Sequence, residues 1–214
     1  MDSTIRRWFW ILLGLCALGA ALILALLPAE KTLGQVIKLV YFHGALSRAG
    51  MAGFVASGVA GVIYLVRRVP GALRWSTALA TSGWLFWAAH FLVSMPATRL
   101  TWGPWIAWGE PRVTMTLQIL AAGLVVILVS RLLENSLFTA GADALLGLAV
   151  FLMAARTGVL RHPLDPIGSS PSLVLRLAYL ALLVPVAAAM GVVAWRMAVR
   201  APQSPAAVPD ELIG

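Results

Sequence analysis

Six long apolar runs, separated by short polar or breaker-rich stretches, set the pattern of the chain. They lie near Trp8 to Leu27, Ala49 to Val66, Leu73 to Met95, Val113 to Ser130, Leu137 to Ala155 and Leu177 to Met197. Each is close to the roughly 17 to 25 residues a helix needs to cross a bilayer. The pattern therefore predicts an all-α, polytopic integral membrane protein with about six transmembrane helices. Residues 1–200 make one such domain. Residues 201–214, with three prolines and the acids Asp210 and Glu211, read as a disordered tail.

Breakers and small residues refine this outline. Arg6 and Arg7 precede the first run as they would in a signal peptide, but its apolar core is longer than an h-region and no clear cleavage site follows, so it reads as a retained helix. An outer segment, Pro28 to Phe42, leads to Tyr41-Phe42-His43-Gly44 and the second helix. That helix carries Gly53, Ser57 and Gly61 at four-residue spacing, a stripe that lets another helix approach closely. Pro96 is expected to stop the third helix, and Pro185 marks a kink site in the sixth. Asp143, near the start of the fifth helix, is expected to reach back to the cytoplasmic surface, with a proton-relay role as the alternative. The connection Arg156 to Arg176 holds too many breakers for a helix.

Composition agrees with the pattern. Of 214 residues, 61% are hydrophobic and 11% charged, and the mean hydropathy is +0.91, which excludes a soluble domain. The formal charge of +8 does not imply nucleic-acid binding, because the basic residues are scattered among the loops instead of clustered on one face. Lys and Arg divide evenly between the two sides, eight each. Their density near Arg6, Arg7, Arg67, Arg68 and Arg74 predicts cytoplasmic termini. The outer face is then unusually basic, which suggests an anionic ligand there. The one cysteine, Cys16, excludes a disulfide framework, a CxxC redox pair and a CxxCH haem-attachment motif, so the chain is not itself a c-type cytochrome.

The most informative stretch is Thr101 to Thr114, TWGPWIAWGEPRVT. Trp102, Trp105 and Trp108 recur every three residues, a spacing that holds the indoles on roughly one side. Two readings are open: a membrane-interface belt, or a shelf for a planar ligand. Helix counting favours the shelf. It places His43 between the first and second helices, the tryptophans between the third and fourth, and His162 between the fifth and sixth, all facing the same side. Two neutral imidazoles from separate loops can clamp a haem iron, and Arg99, Arg112, Arg161 or Lys38 could meet its propionates. His90 lies inside the third apolar run near Trp84 and Trp87 and must find a partner there. It could be bonded to a neighbouring helix, stand behind the haem, or act as a ligand.

The same stretch resembles the tryptophan-rich WWD signature, W-G-x-W-W-x-W-D-x-R-x-T, of the CcmC/CcsA haem-handling family of cytochrome c assembly proteins. Trp102, Gly103, Trp105, Trp108, Arg112 and Thr114 match it. Tyr41-Phe42-His43 is similar to that family's Tyr-x-His, and Leu160-Arg161-His162-Pro163 to its second histidine segment. Six helices are similar to the short, CcmC-like form. The motif is divergent: Ile106 stands for its second tryptophan, Glu110 comes one residue after the usual Asp, and Gly44-Ala45 replaces Val-Pro.

The resemblance implies that haem b binds transiently at the external face of a prokaryotic inner membrane, with His43 and His162 as axial ligands. Trp102, Trp105 and Trp108 would support the macrocycle, Arg112 with Arg99 or Arg161 would meet the propionates, and Glu110 would order the loop. It further implies that the haem passes to a periplasmic haem chaperone or to apocytochrome c. Other cytochrome c maturation membrane subunits, an ABC transporter among them, are expected partners, and no enzyme chemistry is expected of this chain alone. Two other classes stay open. A membrane electron-transfer haem subunit would need histidine pairs buried within helices, and a small-molecule transporter with an aromatic gate would bind no haem.

Overall fold

The computed structural model describes residues 3–160 and 170–200. Arg161, His162 and the tail 201–214 lie outside the described residues. The architecture is all-α, with α1 Ser3–Leu26, α2 Ile37–Arg67, α3 Pro70–Trp102, α4 Pro111–Leu133, α5 Ser136–Arg156 and α6 Leu173–Arg200. All six are long and apolar enough to cross a membrane, as the hydrophobic runs predict, and the chain is an integral membrane protein.

Two helices outrun their apolar cores, and both extensions bear on function. α2 begins at Ile37, twelve residues before the expected Ala49. The reason is local. The turn ahead of it is closed by Gly34 at φ 55° and by the Glu30 carboxylate, which accepts from the backbone N–H of Leu33 and of Thr32, both at 2.8 Å. Those hydrogen bonds hold the Glu30 carboxyl below its ordinary value. Between this turn and Gly44 nothing breaks a helix, and hydropathy alone misses a stretch carrying Lys38, His43, Ser47 and Arg48. His43 is therefore helical, not a loop residue.

The second extension is α3, which runs through Pro96 to Trp102. Proline forfeits only its own N–H, and the ladder resumes after it. The true stop is Gly103, at φ 93°, a conformation that favours glycine. Its N–H bonds to Arg99 O, and the Arg99 guanidinium donates back to Gly103 O. α6 likewise continues through Pro185 and starts at Leu173, four residues earlier than expected.

Successive helices run in opposite directions, so α2 lies antiparallel to both α3 and α5. The predicted small-residue stripe is the seam. A Cβ added at Gly53 would come within 2.8 Å of Gly83 Cα, and one at Gly61 within 2.5 Å of Ala140 O. Gly58 packs on Gly147 in the same way. Without side chains between them the backbones meet, and dispersion replaces the hydrophobic effect, which does little between helices in lipid. α1 packs on α6, with Gly19 beside Pro185 and the Arg196 guanidinium 4.1 Å above the Phe9 ring.

Two polar clasps join α2 to α3. At one, the hydroxyl of Ser57 donates to Ser76 O at 2.8 Å, and that of Ser76 lies 3.0 Å from Ser57 O. At the other, the His90 ring bonds to the His43 carbonyl at 3.0 Å. From His43 to Ser57 on α2 is fourteen residues, and so is Ser76 to His90 on α3, about 21 Å along each helix. The serine clasp lies at the end that carries the termini. Asp143 joins it there: the carboxylate is 3% exposed and meets Ser76 Oγ at 2.7 Å. Its expected reach to the surface is corrected, because Gly61 and Gly58 draw α5 against α2 and leave Asp143 facing the seam.

Candidate functional site

The opposite end of the bundle gathers the candidate residues. His43 sits on the second turn of α2, half-buried, with Nδ1 3.1 Å from Leu39 O one turn back. A carbonyl only accepts, so Nδ1 carries the proton and, in the neutral ring, the lone pair resides on Nε2. The same reasoning applies to His90, whose Nδ1–H donates to the carbonyl of His43. Both imidazoles thus adopt one tautomer, set by backbone acceptors. Their centroids lie 5.4 Å apart with planes 26° from parallel. Backbone acceptors on Nδ1 are the partners that orient a metal-ligating histidine.

Two further aromatics steady this pair. Trp87 packs 5.4 Å from the His90 ring and donates Nε1–H to Thr116 O at 3.3 Å. Trp84, one turn below, donates to Leu120 O at 2.8 Å. Both indoles are therefore pinned to α4, which fixes the helix bearing His90 against the helix that follows the tryptophan segment.

That segment is not a regular row. Trp102 is the last residue of α3 and half-buried, whereas Trp105 and Trp108 belong to the loop and are 56% and 69% exposed. Ala107 and Glu110, at 2% and 1% exposure, anchor the loop between and after them. Glu110 stands at the start of α4, and its carboxylate oxygens accept from the backbone N–H of Leu160 at 3.2 and 3.3 Å. The loop after α3 is thereby tied to the connection after α5, one residue before Arg161. Arg112 is half-buried on the first turn of α4.

The structure thus brings His43 and His90 together, and Glu110 to Leu160. Arg99 engages the Gly103 carbonyl at the end of α3. Arg161 and His162 fall outside the described residues. The pairing of His43 with His90 is what the sequence reading missed, because it treated His43 as a loop residue and His90 as the only buried histidine. Among the described residues, no three His, Cys, Asp or Glu side chains cluster as a metal-ion site. No protein-family model matches the chain, and no curated protein matches it either.

Proposed function

We propose that the chain is a haem-handling membrane protein of cytochrome c maturation, holding haem b at the end of the bundle opposite its termini and presenting it to a chaperone or to apocytochrome c. The observation that carries this reading is the His43–His90 pair, two imidazoles with Nδ1–H committed to backbone carbonyls at 3.1 and 3.0 Å. The donor set fits the group. A haem brings four nitrogens of its own and asks the protein for one or two axial ligands, for which imidazole is suited.

In this reading His43 and His162 would be the ligands of the iron, while His90 fixes the backbone carbonyl of His43. The exposed indoles of Trp105 and Trp108 offer apolar faces to the macrocycle, and Trp102 closes the shelf where α3 ends. Arg112, with Arg99 or Arg161, meets the propionates. Glu110 keeps the two connections side by side. The bound haem supplies redox-active iron, and the protein supplies ligation, shielding and release. With the termini cytoplasmic, the site faces the outside of a prokaryotic plasma membrane.

One observation favours a second reading. Because His43 is helical and adjoins His90, two histidines of neighbouring helices lie side by side, which is the kind of feature a membrane electron-transfer subunit would call for. The two readings differ in what happens to the haem.

The test is the visible spectrum of the purified protein with haem supplied, for the wild type and for His43→Ala, His162→Ala and His90→Ala. Haem handling predicts a low-spin signal lost or altered in His43→Ala and His162→Ala, and transfer of the haem to an apo-acceptor. Retention of the haem during turnover with a quinone, together with loss in His43→Ala and His90→Ala alone, would move the second reading ahead. A spectrum unchanged in every variant would sink both.

A further inference from the structure

A buried acid within the bundle lies far from the histidines. Asp143 on α5 is 3% exposed, and its hydrogen-bonding neighbour is Ser76 on α3, itself fully buried. Ser76 has one hydroxyl proton and two acceptors in reach, Asp143 Oδ2 at 2.7 Å and Ser57 O at 3.0 Å. An ionised Asp143 would compete with Ser57 O for that proton. A protonated Asp143 donates to Ser76 Oγ, whose own proton passes on to Ser57 O, and both hydrogen bonds are complete. Protonation also removes the cost of a buried charge within the apolar span.

Asp143 also lines a cavity of about 170 Å³ at the end that carries the termini, between α3, α4 and α5. Thr77, Thr139 and Ser130 form polar walls, with Arg131 and Glu134, both exposed, near its rim. Ser130 Oγ is buried without a hydrogen-bond partner in the protein. The lining is mostly apolar, but these hydroxyls and the Asp143 carboxyl give waters partners, and the cavity has room for several. Arg131 and Glu134 are its ionisable lining groups. Arg67 on α2 and Arg74 on α3 belong to the same end but do not line it. Of the elements packed on Asp143, α3 meets it with Ser76 and α2 with the backbone at Gly58, neither of which titrates.

We propose that Asp143 is a proton-binding site, loaded from the aqueous phase at the termini-bearing end through this cavity, and that its proton completes the clasp joining α2, α3 and α5. A proton taken from water joins the carboxylate. On its release, the Ser76 hydroxyl turns from Ser57 O to Asp143, and the clasp loses one interhelical hydrogen bond. The proposal does not depend on haem, and its test uses none.

The test is infrared difference spectroscopy of the full chain, wild type minus Asp143→Asn, at about pH 5, where a water-exposed aspartate, ordinary pKa about 3.9, is almost wholly ionised. The expected result is a protonated-carboxyl stretch that vanishes on raising the pH. Its absence at that pH overturns the proposal. Ser76→Ala should shift the band, a measurement that stands even where Asp143→Asn does not fold, and an unshifted band counts against the relay. Added sodium should leave the band unchanged at fixed pH; its loss would make the site one for a metal cation. Ser130→Leu, which fills the cavity, should slow exchange of the carboxyl proton into deuterated water severalfold, and unchanged exchange overturns the route.

Discussion

The two clasps between α2 and α3 are the same construction put to different uses. Each joins a side chain of α3 to the backbone of α2, the serine clasp adding the reverse bond from Ser57 to Ser76 O, and each stands fourteen residues from the other on both helices. The serine clasp is buried, with Ser57 and Ser76 at 1% and 0% exposure, and the glycine stripe brings a third helix onto it. The histidine clasp is half-buried, with the Trp87 ring 5.4 Å from that of His90. Small residues draw helices together. The half-buried rings leave chemical groups within reach. One end is built to pack and the other to present, and substitutions should separate the two.

The largest effect is expected at the packing end. Gly61→Val places a branched side chain where even a Cβ would lie 2.5 Å from Ala140 O and 3.3 Å from Ser76 Oγ. Because one contact is backbone, the helices must part, at a cost of about 2 to 3 kcal/mol. Gly141→Ala, one position along α5 from Ala140, meets nothing within 4 Å and should be neutral or stabilising by up to about 1 kcal/mol. Thermal unfolding in detergent, followed by size-exclusion fluorescence, reads both. A Gly61→Val protein as stable as Gly141→Ala would show that the seam does not hold the bundle.

Glu110→Ala comes next. The buried carboxylate is the acceptor for the Leu160 N–H, and its loss leaves that group without it, a cost of about 1 to 3 kcal/mol. Faster proteolysis in the α5–α6 connection, with the helical core intact, is the expected signature. Equal cleavage rates in variant and wild type would mean that Glu110 does not hold the two connections together.

How much of this could be read from the sequence follows from what each signal measures. Six helices and the glycine seam were legible because apolar length and small-residue spacing report directly on membrane crossing and close packing. The ends of α2 and α3 were not, because hydropathy records where lipid begins and helices here continue past it. His43 was lost to a loop for that reason. The pairing was nonetheless within reach. The tight turn at Arg68-Val69 makes α2 and α3 antiparallel, and His43 lies 25 residues before Arg68 while His90 lies 21 after Val69, within about one helical turn of register. The partner of Asp143 was harder to see, since Ser76 looked like any serine near a helix start.

His90→Ala tests the presenting end more gently. It removes one hydrogen bond and a ring contact from the His43 backbone, a loss of about 1 kcal/mol, less than Gly61→Val should cost. On the proposed function its effect on haem should exceed its effect on stability, since a ligand displaced from its best geometry by 1.4 kcal/mol binds about tenfold more weakly. A haem titration beside a melting curve decides whether His90 positions His43 or only packs.

The smallest structural effect and the clearest functional one should coincide at Trp105 and Trp108. Both indoles are more than half exposed, so replacing them with alanine removes little packing and should change stability by no more than about 0.5 kcal/mol. If they serve as a shelf for a planar ligand, the double variant should fold normally yet release supplied haem faster. If they anchor the loop at the membrane interface instead, haem retention will not change and the variant will lose stability in lipid relative to detergent. The two roles draw on the same rings but leave opposite traces, because a shelf acts only when the ligand is present and an anchor acts whenever the bilayer is.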